Sequence, residues 1–208
     1  MIALLAVAVA VAFVDWYAVF TDSKSIERLA KPAVLILIFV AHAAGGQLES
    51  GYWWAIAVGL VFSLIGDVAL LESDRLFEVG LAAFLIAHIA YVIAYIAEGQ
   101  STGWLLAGAV VVGLLTALIG RRVAAAARAR HGTGLATAVV LYMGALGAMA
   151  AFGIGTTSVL LAVGGLLFLA SDALLGWGRF VGPAVGGRTA VHVTYHAAQV
   201  AIVSGVAR

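Results

Sequence analysis

Residues 52–71 read YWWAIAVGLVFSLIGDVALL, twenty positions with a single charge, Asp67. A helix needs about 20 mostly apolar residues to cross a bilayer, so this stretch reads as a membrane span. The pattern recurs along the chain. Of 208 residues, 64% are hydrophobic and 10% are charged, far from the make-up of a soluble domain. The apolar runs divide into eight candidate spans, at roughly 2–20, 33–45, 52–71, 79–97, 103–120, 134–152, 157–175 and 189–206. The expected fold is an all-α, polytopic helical bundle forming one transmembrane domain over 1–208. The first run lacks a basic leader and a small-residue cleavage site, so it reads as a retained helix.

Working outward from Asp67, a second acid stands in nearly the same wording: Gly66-Asp67-Val68-Ala69-Leu70-Leu71 is echoed by Ser171-Asp172-Ala173-Leu174-Leu175. A carboxyl at the edge of hydrocarbon costs a few kcal/mol unless it is paired, hydrated or protonated, which makes an intramembrane acid a functional candidate. Asp15 is a third acid of this kind. The bland reading is a residue near a helix end that reaches back to water. It fits poorly, because a carboxylate near a helix C-terminus opposes the macrodipole.

Loop charge sets the orientation. Lys24, Arg28, Lys31, Arg75, Arg121, Arg122, Arg128, Arg130, Arg179 and Arg188 fall on one side, and only Arg208 on the other. By the positive-inside rule the first side is cytoplasmic and both termini lie outside. The expected location is a bacterial-type plasma (inner) membrane, with the polar residues opening toward the cytoplasm. Tyr52, Trp53, Trp54, Tyr95 and Trp104 read as the outer aromatic belt, and Trp16, Tyr17 and Trp177 as the inner one. The arginines are spread over several loops and the net charge is +1, which argues against a nucleic-acid partner. No cysteine is present, so disulfides, thiolate metal sites and cysteine nucleophiles are excluded together.

Three helices carry narrow polar stripes. Gly59, Ser63 and Asp67 share one face; Gly80, Phe84, His88, Tyr91 and Tyr95 make a second stripe; His192, Tyr195, His196 and Gln199 make a third. In lipid such stripes face the bundle interior. Tyr91, Tyr195 and Gln199 also suit a plain packing role through interhelical hydrogen bonds. His88-Ile89-Ala90-Tyr91 resembles His192-Val193-Thr194-Tyr195, and each follows its aspartate by about 20 residues. This points to a 4+4 duplication with an axis along the membrane normal. Lys31-Pro32 reads as a helix start and a ready anion site. The arginine-rich stretch 121–133 reads as a connector.

Taken together, Lys31-Pro32, Gly66-Asp67 with Leu70, the run Phe77-x-x-Gly80-x-x-x-Phe84-x-x-x-His88-x-x-Tyr91, Phe168-x-x-Ser171-Asp172 and Thr194-Tyr195-x-x-x-Gln199 resemble the YhhN family of lysoplasmalogenase-like membrane proteins. His196 departs from the pattern, where a second aromatic is expected. The resemblance implies an eight-helix enzyme that hydrolyses the vinyl ether bond of lysoplasmalogens, taking a lysophospholipid from the membrane and needing no cofactor. The chemistry asks for one acid and one base, as in glycoside hydrolysis. Asp67 and Asp172 are the expected pair, in either order, with His88 and Tyr91 orienting them or a water. Lys31, Arg75 or Arg179 would hold phosphate, and Tyr195, Gln199 and Ser63 would complete the substrate site. Two rival readings are a metal-dependent lipid hydrolase built on His88, His192 and His196, and a proton-coupled small-molecule transporter.

Overall fold

The structure, a computed structural model, describes residues 1–46, 50–72 and 74–206. Arg208, the one basic residue assigned to the outer side, lies outside them. The described chain is all-helical: α1 Ile2–Phe20, α2 Lys24–Ala43, α3 Gly51–Glu72, a 3₁₀ turn Asp74–Leu76, α4 Phe77–Glu98, α5 Thr102–Gly155, α6 Val159–Gly176, a π turn Trp177–Val181 and α7 Gly187–Val206. Five segments are long and apolar enough to cross a membrane: α1, α3, α4, α5 and the continuous stretch Val159–Val181. The polar-bearing helices α2 and α7 fall outside that group.

Helix α5 is two helices in one. Gly132 holds φ +83° and ψ −177°, a conformation open to glycine and strained for other residues, and there the helix folds back on itself. Gly108 then lies against Ile154 and Gly120 against Met143, so the two arms run antiparallel. The expected connector 121–133 is therefore mostly helix. Alanines at 124–127 and 129 favour helix strongly, and Val123 and Ala127 bury one face. A reading based on apolar runs stopped at the arginines, although arginine is itself a good helix former.

The other hairpins are also antiparallel and close-packed. At Gly59 and Gly66 of α3, an added Cβ would fall 2.3 Å and 2.5 Å from the rings of Tyr91 and Phe84 on α4. Such close approach drives association in lipid, where no hydrophobic force distinguishes a neighbouring helix from an acyl chain. Gly164 on α6 meets Ile202 on α7 in the same way.

Helix α2 begins at Lys24, nine residues before the expected boundary, and Pro32 lies inside it. Its first two turns are polar because they form the rim of the bundle, so the apolar run captured only its second part. Two belt assignments also change. Trp53 and Tyr95 are buried in the core, while Tyr17, Trp54 and Trp104 are exposed as an interfacial belt requires.

Candidate functional site

Asp67 sits on α3 one turn from the helix end and is fully buried. Lys31 of α2 places its Nζ 2.9 Å from Oδ1, and the Tyr195 hydroxyl of α7 donates to Oδ2 at 2.8 Å. Lys31 is the eighth residue of its helix, so it acts through its side chain and not through a helix N-terminus. Its charge also lies 5.6 Å from the centre of the Tyr195 ring. One carboxylate is thus held by two helices, one with a full positive charge and one with a hydroxyl donor.

Asp172 on α6 has different company. The Tyr142 hydroxyl, from the second arm of α5, donates to Oδ2. His88 Nε2 of α4 lies 3.7 Å from the same oxygen, beyond hydrogen-bond range, and among the described residues neither ring nitrogen of His88 has a hydrogen-bond partner. The imidazole is fixed by packing edge-on to Phe168 at 4.8 Å and Tyr142 at 5.1 Å. Beside the acid, Ser171 donates to the Val191 carbonyl at 3.0 Å and ties α6 to α7.

A buried network supports these groups. The Tyr91 hydroxyl donates to Gln199 Oε1 at 2.8 Å, Gln199 Nε2 donates to Ser63 Oγ at 3.0 Å, and Ser63 lies 3.5 Å from the Tyr91 oxygen. The three expected residues meet as a strut joining α3, α4 and α7. None of them lines the cavity described next.

That cavity has a volume of about 310 Å³ and is lined by both Asp67 and Asp172, together with Lys31, Tyr195, Phe84 and Ser171. Lys24, Arg28 and Arg188 stand at its rim. Arg75 and Arg179, expected as phosphate ligands, do not line it. Arg179 instead lies over the Phe77 ring, 4.9 Å from its centre. Glu27 is the rim's one buried acid, on the polar first turn of α2 ahead of the apolar stretch. It pairs with Arg188, with Lys24 at 3.4 Å and, more loosely, with His192 at 3.7 Å. Burial pushes its carboxyl up, but the Arg188 hydrogen bond and charge outweigh this and hold its pKa below the usual range.

Asp15 forms a second buried acid site on the neighbouring wall. His192 Nδ1 lies 2.7 Å from its Oδ2, and His196 Nδ1 accepts from Trp16 Nε1 at 3.1 Å. The three histidines weighed as a metal set are therefore divided, with His192 and His196 facing α1 and His88 facing Asp172. Among the described residues no three His, Asp or Glu side chains are grouped as metal ligands.

Reading the sequence missed Tyr142, Glu27 and the rim roles of Arg28 and Arg188. Tyr142 had a usable signal, because it is the one tyrosine in the apolar run 134–152. Lys24, Glu27, Arg28 and Lys31 share the i, i+3, i+4 spacing of a single polar helix face.

The model of the YhhN family matches residues 26–206. The chain is 31% identical over 175 residues to a protein of Bos taurus named Lysoplasmalogenase TMEM86A, covering 81% of this chain and 71% of that one. It is 29% identical over 173 residues to the Homo sapiens protein of the same name, with the same coverage. No solved structure matches.

Proposed function

Because the chain belongs to the YhhN family, we propose that it is a membrane hydrolase that cleaves the vinyl ether bond of lysoplasmalogen-type lysophospholipids, releasing a fatty aldehyde and a glycerophospho head group. The observation that carries this reading is that Asp67 and Asp172 line one cavity with unlike partners.

Lys31 pairs directly with Asp67, which suits that acid to remain a carboxylate. Asp172 has a hydroxyl and an imidazole beside it but no cation in contact, which suits it to carry a proton. Asp172 gives that proton to the alkenyl carbon remote from the ether oxygen, and the C=C electrons move to form an oxocarbenium. Asp67 takes a proton from water as the oxygen adds to that cation. The hemiacetal then collapses: its hydroxyl proton returns to Asp172, and the proton on Asp67 passes to the departing glycerol oxygen. Both acids end as they began, so the cycle consumes only water. General acid–base steps of this kind contribute about 10²–10⁴-fold each. Lys24, Arg28 and Arg188 are placed to hold the phosphate.

Counting α2, α7 and both arms of α5 gives eight spans, with both termini outside and the cavity mouth at the cytoplasmic face of a bacterial-type plasma membrane. The ten basic residues on one side support this orientation. Reciprocal contacts support the 4+4 duplication. Lys31 and Tyr142 come from the second helix of each half and meet the aspartate of their own half. Tyr195 and His88 come from the fourth helix of each half and meet the aspartate of the other.

The test is hydrolysis of a 1-alkenyl lysophospholipid in D₂O with immediate reductive trapping of the aldehyde. One deuterium on the carbon next to the carbonyl is expected. Aldehyde carrying none would overturn protonation at carbon, and no aldehyde from folded protein would overturn the activity.

A further inference from the structure

Behind the wall that carries Asp172 lies a second, apolar space. Leu70, Phe84, Asp172 and Leu175 line both it and the polar cavity. Leu70 and Leu175 each follow their aspartate by three residues, one turn along the same helix face, so the repeated Asp-x-x-Leu wording builds the boundary between the two. The apolar space holds only about 40 Å³. It is a neck, walled by Phe77, Met143, Leu146 and Phe180.

Leu81 and Tyr142 close the far side of this neck, and both also line a cleft of about 310 Å³ between α4 and the second arm of α5. Ala82, Leu85, Ala138 and Leu141 line that cleft, with Glu78 of the first turn of α4 at its end. Leu81 and Leu85 lie about 6 Å and 12 Å along α4 from its first residue, at 1.5 Å per residue, the depth of acyl carbons below a head group. Polarity therefore changes along one line: basic rim, carboxylates, neck, lipid-facing seam.

Resting on the hydrolase reading above, we propose that the seam between α4 and the second arm of α5 is the binding site for the substrate's single aliphatic chain. The head group sits at the rim, the first alkenyl carbons lie at Asp172, and the tail runs past Leu81 and Tyr142 into the bilayer. The neck, at about 40 Å³, is the smallest of the three spaces along this path. Tyr142 serves both sides of the boundary: its hydroxyl holds Asp172 and its ring walls the neck.

The experiment uses an alkyl-ether lysophosphatidylethanolamine with a diazirine at mid-tail, photolysed with the full-length protein in nanodiscs and mapped by peptide mass spectrometry. This probe has no vinyl ether and is not consumed. Labelling is expected on residues 78–85 and 134–142, displaced by unlabelled lysolipid, and lowered tenfold or more in Ala82→Trp and Ala138→Trp. Leu114→Trp, on a lipid-facing residue of the first arm of α5 that is 68% exposed, leaves it unchanged. Label spread over all lipid-facing helices, label centred on the turn between α6 and α7, or seam label indifferent to both tryptophans would overturn the proposal. Seam labelling in a protein that releases no aldehyde would uphold the tail site while refuting the hydrolase reading.

Discussion

Lys31 Nζ lies 2.9 Å from Asp67 Oδ1 with both side chains buried, so the cavity contains one acid with a built-in counter-charge beside a second, Asp172, without a cation in contact. Two aspartates that look equivalent in sequence thus have unlike surroundings, on which the proposed division into base and acid rests.

Replacing Lys31 with Met removes the counter-charge from a buried carboxylate, an arrangement that costs about 3–5 kcal/mol if the charge remains. Asp67 is expected to take up a proton instead and cease to act as a base. Steady-state kinetics should show kcat reduced by about 100-fold or more, with the helical signal in circular dichroism retained. Near-normal kcat at neutral pH would show that Asp67 needs no charge from Lys31.

Tyr142→Phe deletes the hydroxyl that Asp172 accepts from and keeps the ring. Loss of one such hydrogen bond is worth about 1 kcal/mol, or roughly fivefold in kcat. KM should stay unchanged, because the neck wall is preserved. Tyr142→Ala removes the wall as well, and KM for long-chain substrates should then rise.

Glu27 gives a pH signature at the rim. Its folded-state pKa is held below the usual range, first against burial and then by Arg188. A group depressed on folding contributes stability that is present above its unfolded pKa and lost as pH falls through the folded value. Wild-type thermal stability in detergent should therefore decline below about pH 4.5. Glu27→Gln should be less stable at neutral pH by about 1–3 kcal/mol and show a shallower decline in acid. Parallel pH profiles for the two proteins would contradict the pairing.

Much of this arrangement was legible in the sequence, because lipid makes polarity conspicuous. Asp67, Asp172, Tyr195 and Lys31 stood out from apolar surroundings, and the structure brings all four to one cavity. The helical class followed from the same runs. What stayed hidden depended on contacts across helices. Nothing local to Tyr142 indicates that it faces Asp172 30 residues later, and nothing local to Arg188 indicates Glu27, 161 residues earlier. Arg75 and Arg179 looked equivalent to the rim cations because sequence reports the side of the membrane but not the direction a side chain takes. The helix ends at the rim were blurred for a related reason: hydropathy marks where hydrocarbon begins, whereas α2 and α5 continue past it as polar helix.

The most direct test is aldehyde release from a 1-alkenyl lysophosphatidylethanolamine by purified protein, measured for the wild type, Asp67→Asn and Asp172→Asn with folding checked in parallel. Turnover by the wild type is expected, with a loss of about 10²-fold or more in each variant and KM far less affected than kcat. Turnover sustained in either folded variant would contradict the assignment of the two aspartates as base and acid.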